Sequence, residues 1–316
     1  MQINWFHRVW PGLFLAMSQL AGAADTSSTA EILSTNVHRV IFLGDSITYS
    51  GQYVEYIEAY FRTRHPKRRV DFINVGLPSE TVSGLSEPEH MKHGFPRPDL
   101  HERLARVLAQ TKPDLVFACY GMNDGIYLPF DEERFKKYQE GIRWLHEQVE
   151  KSGAKIIHLT PPVFDEAKGG HRGYGAVLDR YSEWLVGLRA AGWSVADLHE
   201  PMKHALAEQR KKDPRFAFAK DGVHIGEAGH WLIARQVLVY LGTKDVASVT
   251  NAVDILGGNS HGEELLKLVR QRQDVLKNAW LNATKHKRPM MPPGLPLAEA
   301  EKKAAGLENQ IRRLLP

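Results

Sequence analysis

The chain has 316 residues, of which 43% are hydrophobic and 25% are charged, and these values allow a full hydrophobic core. The formal net charge is +4, and Lys and Arg are interspersed with Asp and Glu, so the sequence does not indicate a nucleic-acid partner. The single cysteine, Cys119, excludes an intrachain disulfide.

Residues 1–24 have the pattern of a secretory signal peptide. Arg8 precedes a short apolar run, and small residues follow it, so that cleavage after Ala23 or Ala24 fits. The apolar run is too short for a membrane span, and no later segment reaches the necessary length. We therefore expect an exported protein, periplasmic or extracellular, with no membrane span after removal of the signal.

From residue 38 onward, strand and helix patterns alternate. Five short apolar runs read as buried strands, at 39–44, 70–75, 114–120, 155–160 and 193–198. Apolar residues at helical spacing predict helices at about 51–64, 174–190 and 200–212, with further helices beginning near Asp99, Asp131 and Gly226. This alternation predicts a parallel sheet with helices on both faces and right-handed crossovers.

Residues 243–316 depart from this alternation. A loop leads into a helical pattern from Glu263 to about Thr284, and a Pro-, Gly- and Met-rich linker leads into a second helical pattern from Leu297 to Leu315. We interpret the segment as a helical C-terminal extension of a domain at 38–242, without a core of its own.

Polar residues and a glycine follow four of the predicted strands. Ser46 follows the first strand, Gly76 the second and Asn123 the third, while Asp221 and His224 come after the fifth. The carboxyl ends of parallel strands lie at one edge of an open α/β sheet, where such folds bind their ligands. We therefore expect these positions to converge on one cleft.

The residue types suit nucleophilic catalysis. A serine hydroxyl needs a base to take its proton, and His224 is the candidate base for Ser46. Asp221 lies three residues before His224 and can reach its other ring nitrogen. Backbone N–H groups of Ser46 and Gly76 and the side-chain amide of Asn123 could donate to an oxyanion, since a glycine allows close backbone approach.

The chain resembles the SGNH (GDSL-type) hydrolases in four sequence blocks that occur in order, each after its proper strand. The blocks are Gly44-Asp45-Ser46-Ile47, Gly76, Gly121-Met122-Asn123-Asp124 and Asp221-Gly222-Val223-His224. The resemblance covers about residues 38–241 and implies a three-layer, flavodoxin-like sandwich with a five-stranded sheet of order 2-1-3-4-5. It also implies ester hydrolysis through an acyl-serine, without a cofactor or metal.

The resemblance assigns a role to each matching position. Ser46 is the nucleophile, His224 the base and Asp221 its partner, and the oxyanion donors are Ser46, Gly76 and Asn123. Asp45 and Asp124 are expected to order their turns by accepting backbone N–H groups.

Several other residues have competing interpretations. His230 is a rival base, but its position on the following helix favours packing or solvent exposure. A group of histidines and acids between the second and third strands matches no standard zinc spacing, and we interpret it as a solvated or substrate-lining loop. The group comprises Glu87, Glu89, His90, His93, Asp99 and His101. Tyr127 and Phe130 fit either a pocket lining or the core.

The sequence predicts a secreted serine esterase that removes a short acyl group, acetyl foremost, from a carbohydrate or another small ester. Secreted SGNH relatives with such extensions often act on decorated polysaccharides. A lipase, lysophospholipase or thioesterase is an alternative, but it needs a broad apolar groove, whereas loops 77–97 and 163–173 are polar. A catalytically idle carbohydrate-binding protein is a third possibility. The presence of every catalytic residue argues against it. The oligomeric state stays open.

Overall fold

The computed structural model describes residues 36–243, 245–256 and 261–315. The predicted signal peptide, residues 1–24, lies outside the described residues. The strands are β1 Arg39–Gly44, β2 Asp71–Asn74, β3 Leu115–Cys119, β4 Lys155–Leu159 and β5 Val195–Ala196. The α-helices are α1 Ser46–Ser50, α2 Gln52–Arg64, α3 Leu104–Thr111, α4 Glu132–Lys151, α5 Glu166–Gly169, α6 Tyr174–Gly187, α7 His199–Lys212, α8 Glu227–Tyr240, α9 Gly262–Ala283 and α10 Leu297–Leu314. Short 3₁₀ helices occur at Pro88–His93, Leu100–Glu102, Leu188–Ala191 and Asp254–Leu256.

The five strands form one parallel sheet in the order β2-β1-β3-β4-β5, which confirms the predicted order 2-1-3-4-5. Residues 40–43 of β1 are fully buried, as expected for a strand covered on both faces. The register pairs Gly44 of β1 with Cys119 of β3. The turns that follow these two strands, which carry Ser46 and Asn123, therefore begin at the same level of the sheet.

Strand β5 is much shorter than the predicted 193–198. Only Val195 and Ala196 pair with β4. The chain then turns away, because Thr160 Oγ1 donates to the Asp197 carboxylate and accepts the backbone N–H groups of Leu198 and His199. These side-chain bonds replace strand pairing and start α7.

The helices cover the sheet in two groups. Helix α2 packs against α8 and α9, while α4 and α6 meet through stacked rings of Tyr138 and Tyr181, whose centroids are 4.3 Å apart. Helices flanking a parallel sheet in this way give the predicted three-layer α/β fold. Every helix in the described part of the chain is too short or too polar to cross a membrane.

The C-terminal helices share the core of the preceding domain. Helix α9 lies on α2 and β2, and α10 packs along α9. Gln273 Nε2 donates to the Phe72 carbonyl oxygen over 2.9 Å, and Arg272 Nη1 donates to the buried Glu58 carboxylate over 3.0 Å. The buried side chains of Val269 and Trp280 belong to the same hydrophobic cluster as the sheet. The boundary between residues 242 and 243 stays a prediction.

Candidate active site

Ser46 begins α1 directly after β1. The preceding residue, Asp45, caps this short helix by accepting the Ile47 N–H over 2.9 Å, as the sequence predicted. The Asp45 carboxyl is buried, and its burial raises its pKa to about 7. The cap holds the first turn in place, while Ser46 itself is only partly buried. Its hydroxyl therefore lies at the carboxyl edge of the sheet.

Hydrogen bonds join Ser46, His224 and Asp221 in a chain. His224 Nε2 is 3.0 Å from Ser46 Oγ, and His224 Nδ1 is 2.7 Å from Asp221 Oδ2. Gly222 makes the tight turn between aspartate and histidine possible, since its φ of 83° favours glycine. The structure thus brings Ser46 together with two residues that lie 175 and 178 positions further along the chain.

The environment of the Asp221 carboxyl favours its ionised form. Its partial burial raises the pKa, but hydrogen bonds from the His224 ring and from the backbone N–H groups of Val223 and His224 outweigh this effect and lower it to about 2. A carboxylate can only accept, so it holds the proton of neutral His224 on Nδ1. Nε2 is then free to accept the Ser46 hydroxyl proton.

Asp124 ties the turn after β3 to the loop after β2. Its carboxylate accepts the N–H of Gly121 over 2.9 Å within its own turn, and also those of Val82 and Ser83 over 2.9 and 2.8 Å. The sequence predicted the first kind of bond but not the second. Two separate loops are thereby fixed next to each other at the site.

The Asn123 side chain is held at both ends. Its Oδ1 accepts from Arg97 Nη1 over 3.0 Å and from the Tyr127 hydroxyl over 3.2 Å, while its Nδ2 donates to the Glu80 carbonyl oxygen over 3.2 Å. An amide nitrogen carries two hydrogens, so one remains for a further acceptor. Asn123 can therefore serve as an oxyanion donor.

A buried ion pair supports the Glu80 loop. Arg103 Nε and the Tyr120 hydroxyl each donate to the Glu80 carboxylate over 2.6 Å, and Arg103 Nη2 also donates to the Val75 carbonyl oxygen over 2.8 Å. Glu80, Arg103 and Tyr120 are almost completely buried. A buried ion pair of this kind fixes its surroundings, because separating the two charges would leave each of them unpaired away from water.

Gly76 lies in the loop after β2, as predicted, and its backbone N–H already has a partner. Its N–H donates to Asn74 Oδ1 over 2.9 Å, so this donor is already engaged within its own loop. A Cβ at Gly76 would lie 2.4 Å from the backbone nitrogen of Tyr49. The residue is a glycine because the loop packs directly on α1, and the role of its N–H as an oxyanion donor stays a prediction.

Ser79 is a candidate functional residue that the sequence analysis did not identify. Its φ is 68°, a left-handed conformation that residues other than glycine rarely adopt. Such strain concentrates at functional sites, and Ser79 directly precedes Glu80, whose carbonyl oxygen contacts Asn123. A serine in the sequence does not predict a positive φ, so this conformation is visible only in the backbone of the structure. Arg97 was missed for a related reason, since a lone arginine in a long loop has no pattern.

Three further histidines are packed or hydrogen-bonded elsewhere. His230 is buried and stacks on Tyr53, with ring centroids 6.1 Å apart. Its burial lowers its pKa to about 4. Of the two expected environments, packing and solvent exposure, the structure shows packing. His90 Nδ1 contacts the Phe95 carbonyl oxygen, and His101 contacts Asp99. Among the described residues, no group of three or more histidine, cysteine, aspartate or glutamate side chains could hold a metal ion.

A carboxylate, an imidazole and a serine hydroxyl joined by hydrogen bonds at this edge of a parallel sheet place the protein among the α/β serine hydrolases. The family model of the GDSL-like lipases/acylhydrolases matches residues 42–232, more than half of the chain. The chain belongs to the GDSL-like lipase/acylhydrolase family, as its resemblance to the SGNH (GDSL-type) hydrolases predicted. It is a serine hydrolase that acts on ester bonds.

Three comparisons place the chain among characterised proteins. An acetylxylan esterase of Geobacillus stearothermophilus is 25% identical over 236 residues, which cover 66% of this chain and 96% of that enzyme. A crystal structure of a catalytic mutant of the acetylxylan esterase Axe2 from the same organism has a TM-score of 0.50 at 22% identity and covers 67% of this chain and 97% of its own. A gut microbial diltiazem-metabolizing enzyme has a TM-score of 0.53 at 26% identity over 65% of this chain. This chain matches about half of that enzyme's length, 47%.

Proposed function

We propose that the protein is an esterase that removes a short acyl group, acetyl foremost, from a carbohydrate through an acyl-serine intermediate. The observation that carries the proposal is the hydrogen-bonded chain from Asp221 through His224 to Ser46. The name of the acetylxylan esterase that aligns with two thirds of this chain supports the substrate class. The polar loops around the site support a short acyl group.

The hydrogen-bonded chain supports the following proposed reaction. Ser46 Oγ attacks the ester carbonyl carbon while His224 Nε2 takes the hydroxyl proton. The carbonyl oxygen becomes an oxyanion, which accepts from the Ser46 N–H and the second N–H of the Asn123 amide. The carbon–oxygen bond to the sugar then breaks, and His224 returns the proton to the departing hydroxyl group. The acyl group remains on Ser46.

Water completes the cycle. His224 Nε2 takes a proton from a water molecule, whose oxygen attacks the acyl carbon. The second tetrahedral intermediate uses the same oxyanion donors, and its collapse releases acetate while the proton returns to Ser46 Oγ. Asp221 keeps the imidazole in the correct orientation and stabilises the imidazolium in both halves.

The experiment compares hydrolysis of p-nitrophenyl acetate, butyrate and octanoate by the wild type and by Ser46→Ala. We expect acetate to be the best substrate and the variant to be inactive but folded, since only a hydroxyl is removed. Turnover that survives in Ser46→Ala would refute the serine assignment. A preference for octanoate would favour the lipase, lysophospholipase or thioesterase alternative.

Export is a separate part of the proposal and rests on residues 1–24 alone. Expression of the full chain in a bacterium, followed by fractionation and N-terminal sequencing, tests it. We expect a mature form that begins after Ala23 or Ala24 outside the cytoplasm. An uncleaved chain that stays with the cytoplasmic fraction would contradict it.

A further inference from the structure

A cavity of about 340 Å³ adjoins the candidate active site. Its lining includes Asp221 and Val223, which lie on the turn that carries His224. It also includes Arg97 and Tyr127, the two residues that donate to Asn123 Oδ1. The cavity is therefore lined by residues that bond His224, the proposed base, and Asn123, the proposed oxyanion donor. Its volume lies in the range of about 300–1,000 Å³ that is usual for small-molecule sites.

The walls of the cavity combine hydrogen-bonding and apolar groups. Glu89, His93 and His171 are exposed and supply carboxylate and imidazole groups, while Ile126 and Leu128 supply apolar surface. A long acyl chain in this cavity would take carboxylate and imidazole groups out of water without giving them hydrogen bonds, which is unfavourable. A sugar has hydroxyl groups at its edge and C–H groups on its faces. A sugar can therefore hydrogen-bond to the polar groups of the cavity wall and pack against its apolar groups.

Two charged residues of the cavity wall, Arg97 and Glu87, already neutralise each other. Arg97 Nε donates to Glu87 Oε2 over 2.6 Å, and both side chains are largely buried. The Arg97 guanidinium also lies over the Tyr127 ring, 5.3 Å from its centre. An uncharged ligand therefore fits this wall without disturbing the pair, whereas a charged ligand would have to compete with it.

The backbone at the cavity is strained. Ile126 and Tyr127 are consecutive residues with φ values of 48° and 56°. For a β-branched residue such as Ile126, a positive φ is an outlier. This conformation places Tyr127 so that its hydroxyl reaches Asn123 and places Ile126 and Leu128 in the cavity wall. Strain of this kind persists where it serves a site.

We propose that this cavity binds the carbohydrate part of the substrate, namely a sugar unit next to the acylated one, with His93, His171 and Glu89 as specificity-determining residues. The inference rests on the proposed function, since it takes the substrate to be an acylated glycan. The acyl group itself is bound at Ser46 and is too small to need a cavity of this size.

The test compares two substrates in the full-length chain. One is p-nitrophenyl acetate, which has no sugar, and the other is an acetylated xylo-oligosaccharide. The variants are His171→Ala and His93→Ala, and the matched control is His204→Ala, an exposed histidine on α7 that does not line the cavity. Melting temperatures verify that each variant is folded.

We expect the ratio of kcat/KM for the oligosaccharide to kcat/KM for p-nitrophenyl acetate to fall about tenfold in each cavity variant, the effect of one or two lost hydrogen bonds. The control should keep the wild-type ratio. An unchanged ratio in both cavity variants would overturn the inference. So would an equal loss of p-nitrophenyl octanoate turnover, because the cavity would then hold the acyl chain.

Failure of the proposed function gives a different result. If the wild type hydrolyses p-nitrophenyl acetate but no acetylated oligosaccharide, the serine esterase stands, while the carbohydrate substrate and the sugar-binding inference both fall. If the wild type and Ser46→Ala are equally inactive on every ester, the proposed function itself falls.

Discussion

Arg97 fixes the orientation of the Asn123 side-chain amide, because Arg97 Nη1 donates to Asn123 Oδ1 over 3.0 Å. A guanidinium has only donors, so the amide oxygen must face it and the amide nitrogen must face the opposite way. That nitrogen contacts the Glu80 carbonyl oxygen and has one hydrogen left over. Arg97 is therefore a positioning residue for the proposed oxyanion donor.

We expect Arg97→Met to lower kcat for p-nitrophenyl acetate by about tenfold, less than the roughly hundredfold loss expected for Asn123→Ala. Since the arginine acts through the amide, adding Arg97→Met to Asn123→Ala should lower kcat little further. Steady-state kinetics of the single and double variants measure this. Full additivity of the two losses would contradict the positioning role.

A control is needed because the loss of Arg97 leaves Glu87 buried without its partner. The double variant Arg97→Met/Glu87→Gln removes the whole pair and should show the same fall in kcat with a smaller loss of stability. Arg69→Met, at an exposed position before β2, serves as the surface control and should change neither quantity.

The sequence predicted the sheet because hydrophobic runs and turn residues are local signals. It also predicted the meeting of Ser46, Asp221 and His224, since parallel strands bring their carboxyl ends to one edge. The limits of β5 were wrong because Thr160, a residue of another loop, captures the backbone of Leu198 and His199. Such tertiary hydrogen bonds leave no trace in the pattern of the strand itself.

The oxyanion donors show a second limit of sequence reasoning. A glycine suggests close approach of a ligand, but the partner that approaches Gly76 is the backbone of Tyr49. The positive φ of Ser79 and the hydrogen bonds from Arg97 and Tyr127 to Asn123 depend on the packing of long loops against each other. Neither composition nor spacing encodes that arrangement in readable form.

Gly76→Ala should destabilise the fold. The new Cβ would lie 2.4 Å from the Tyr49 backbone nitrogen and 2.8 Å from the Thr48 carbonyl carbon, and backbone atoms cannot move aside cheaply. We expect a loss of about 1–3 kcal/mol in the free energy of unfolding. Urea denaturation monitored by fluorescence measures it.

Gly306→Ala is the matched control for Gly76→Ala. Gly306 lies inside α10, is exposed, and has nothing within 4 Å of an added Cβ. Because alanine is the better helix former, this change should stabilise the chain by up to about 1 kcal/mol. Changes of the same sign in the two variants would contradict the packing argument.

The buried Asp45 should make stability depend on pH. Its folded pKa of about 7 lies above the ordinary aspartate value of 3.8, so between these two values the folded chain holds a proton that the unfolded chain has released. Rising pH therefore favours unfolding, by at most about 1.4 kcal/mol per pH unit for this one group. The contribution of Asp45 is present at acid pH and is lost as the pH approaches 7.

Asp45→Asn isolates this effect, because the asparagine oxygen can still accept the Ile47 N–H but carries no charge. Asp124, whose pKa burial raises to about 6, stays in both proteins, and the difference between their curves includes its charge interaction with Asp45. We expect the unfolding free energy of the wild type to fall relative to that of Asp45→Asn from about pH 5 to pH 7. Parallel curves would show that Asp45 does not titrate in this window.

Arg288 connects the C-terminal extension to the loop that contains Ser79. Its Nε donates to the Pro78 carbonyl oxygen over 2.9 Å, and its guanidinium lies 4.9 Å from the centre of the Phe95 ring. The extension also contacts α1 directly, since the Tyr49 hydroxyl donates to Asn278 Oδ1 over 3.0 Å. Segments on both sides of the site therefore rest on residues beyond the region that the family model matches.

Arg288→Met removes the donor and keeps the length of the side chain, so the Pro78–Ser79 segment loses one restraint while the core stays intact. We expect kcat for p-nitrophenyl acetate to fall about three- to tenfold, the effect of one lost charged hydrogen bond, with little change in melting temperature. Arg288→Lys keeps a charged donor and should recover part of the rate. The neighbouring Lys287 is largely exposed and pairs with Glu102 over 3.0 Å, so Lys287→Met should leave kcat at the wild-type value. If Arg288→Met and Lys287→Met behave alike, the extension does not position this loop, and its contacts with the site serve stability alone.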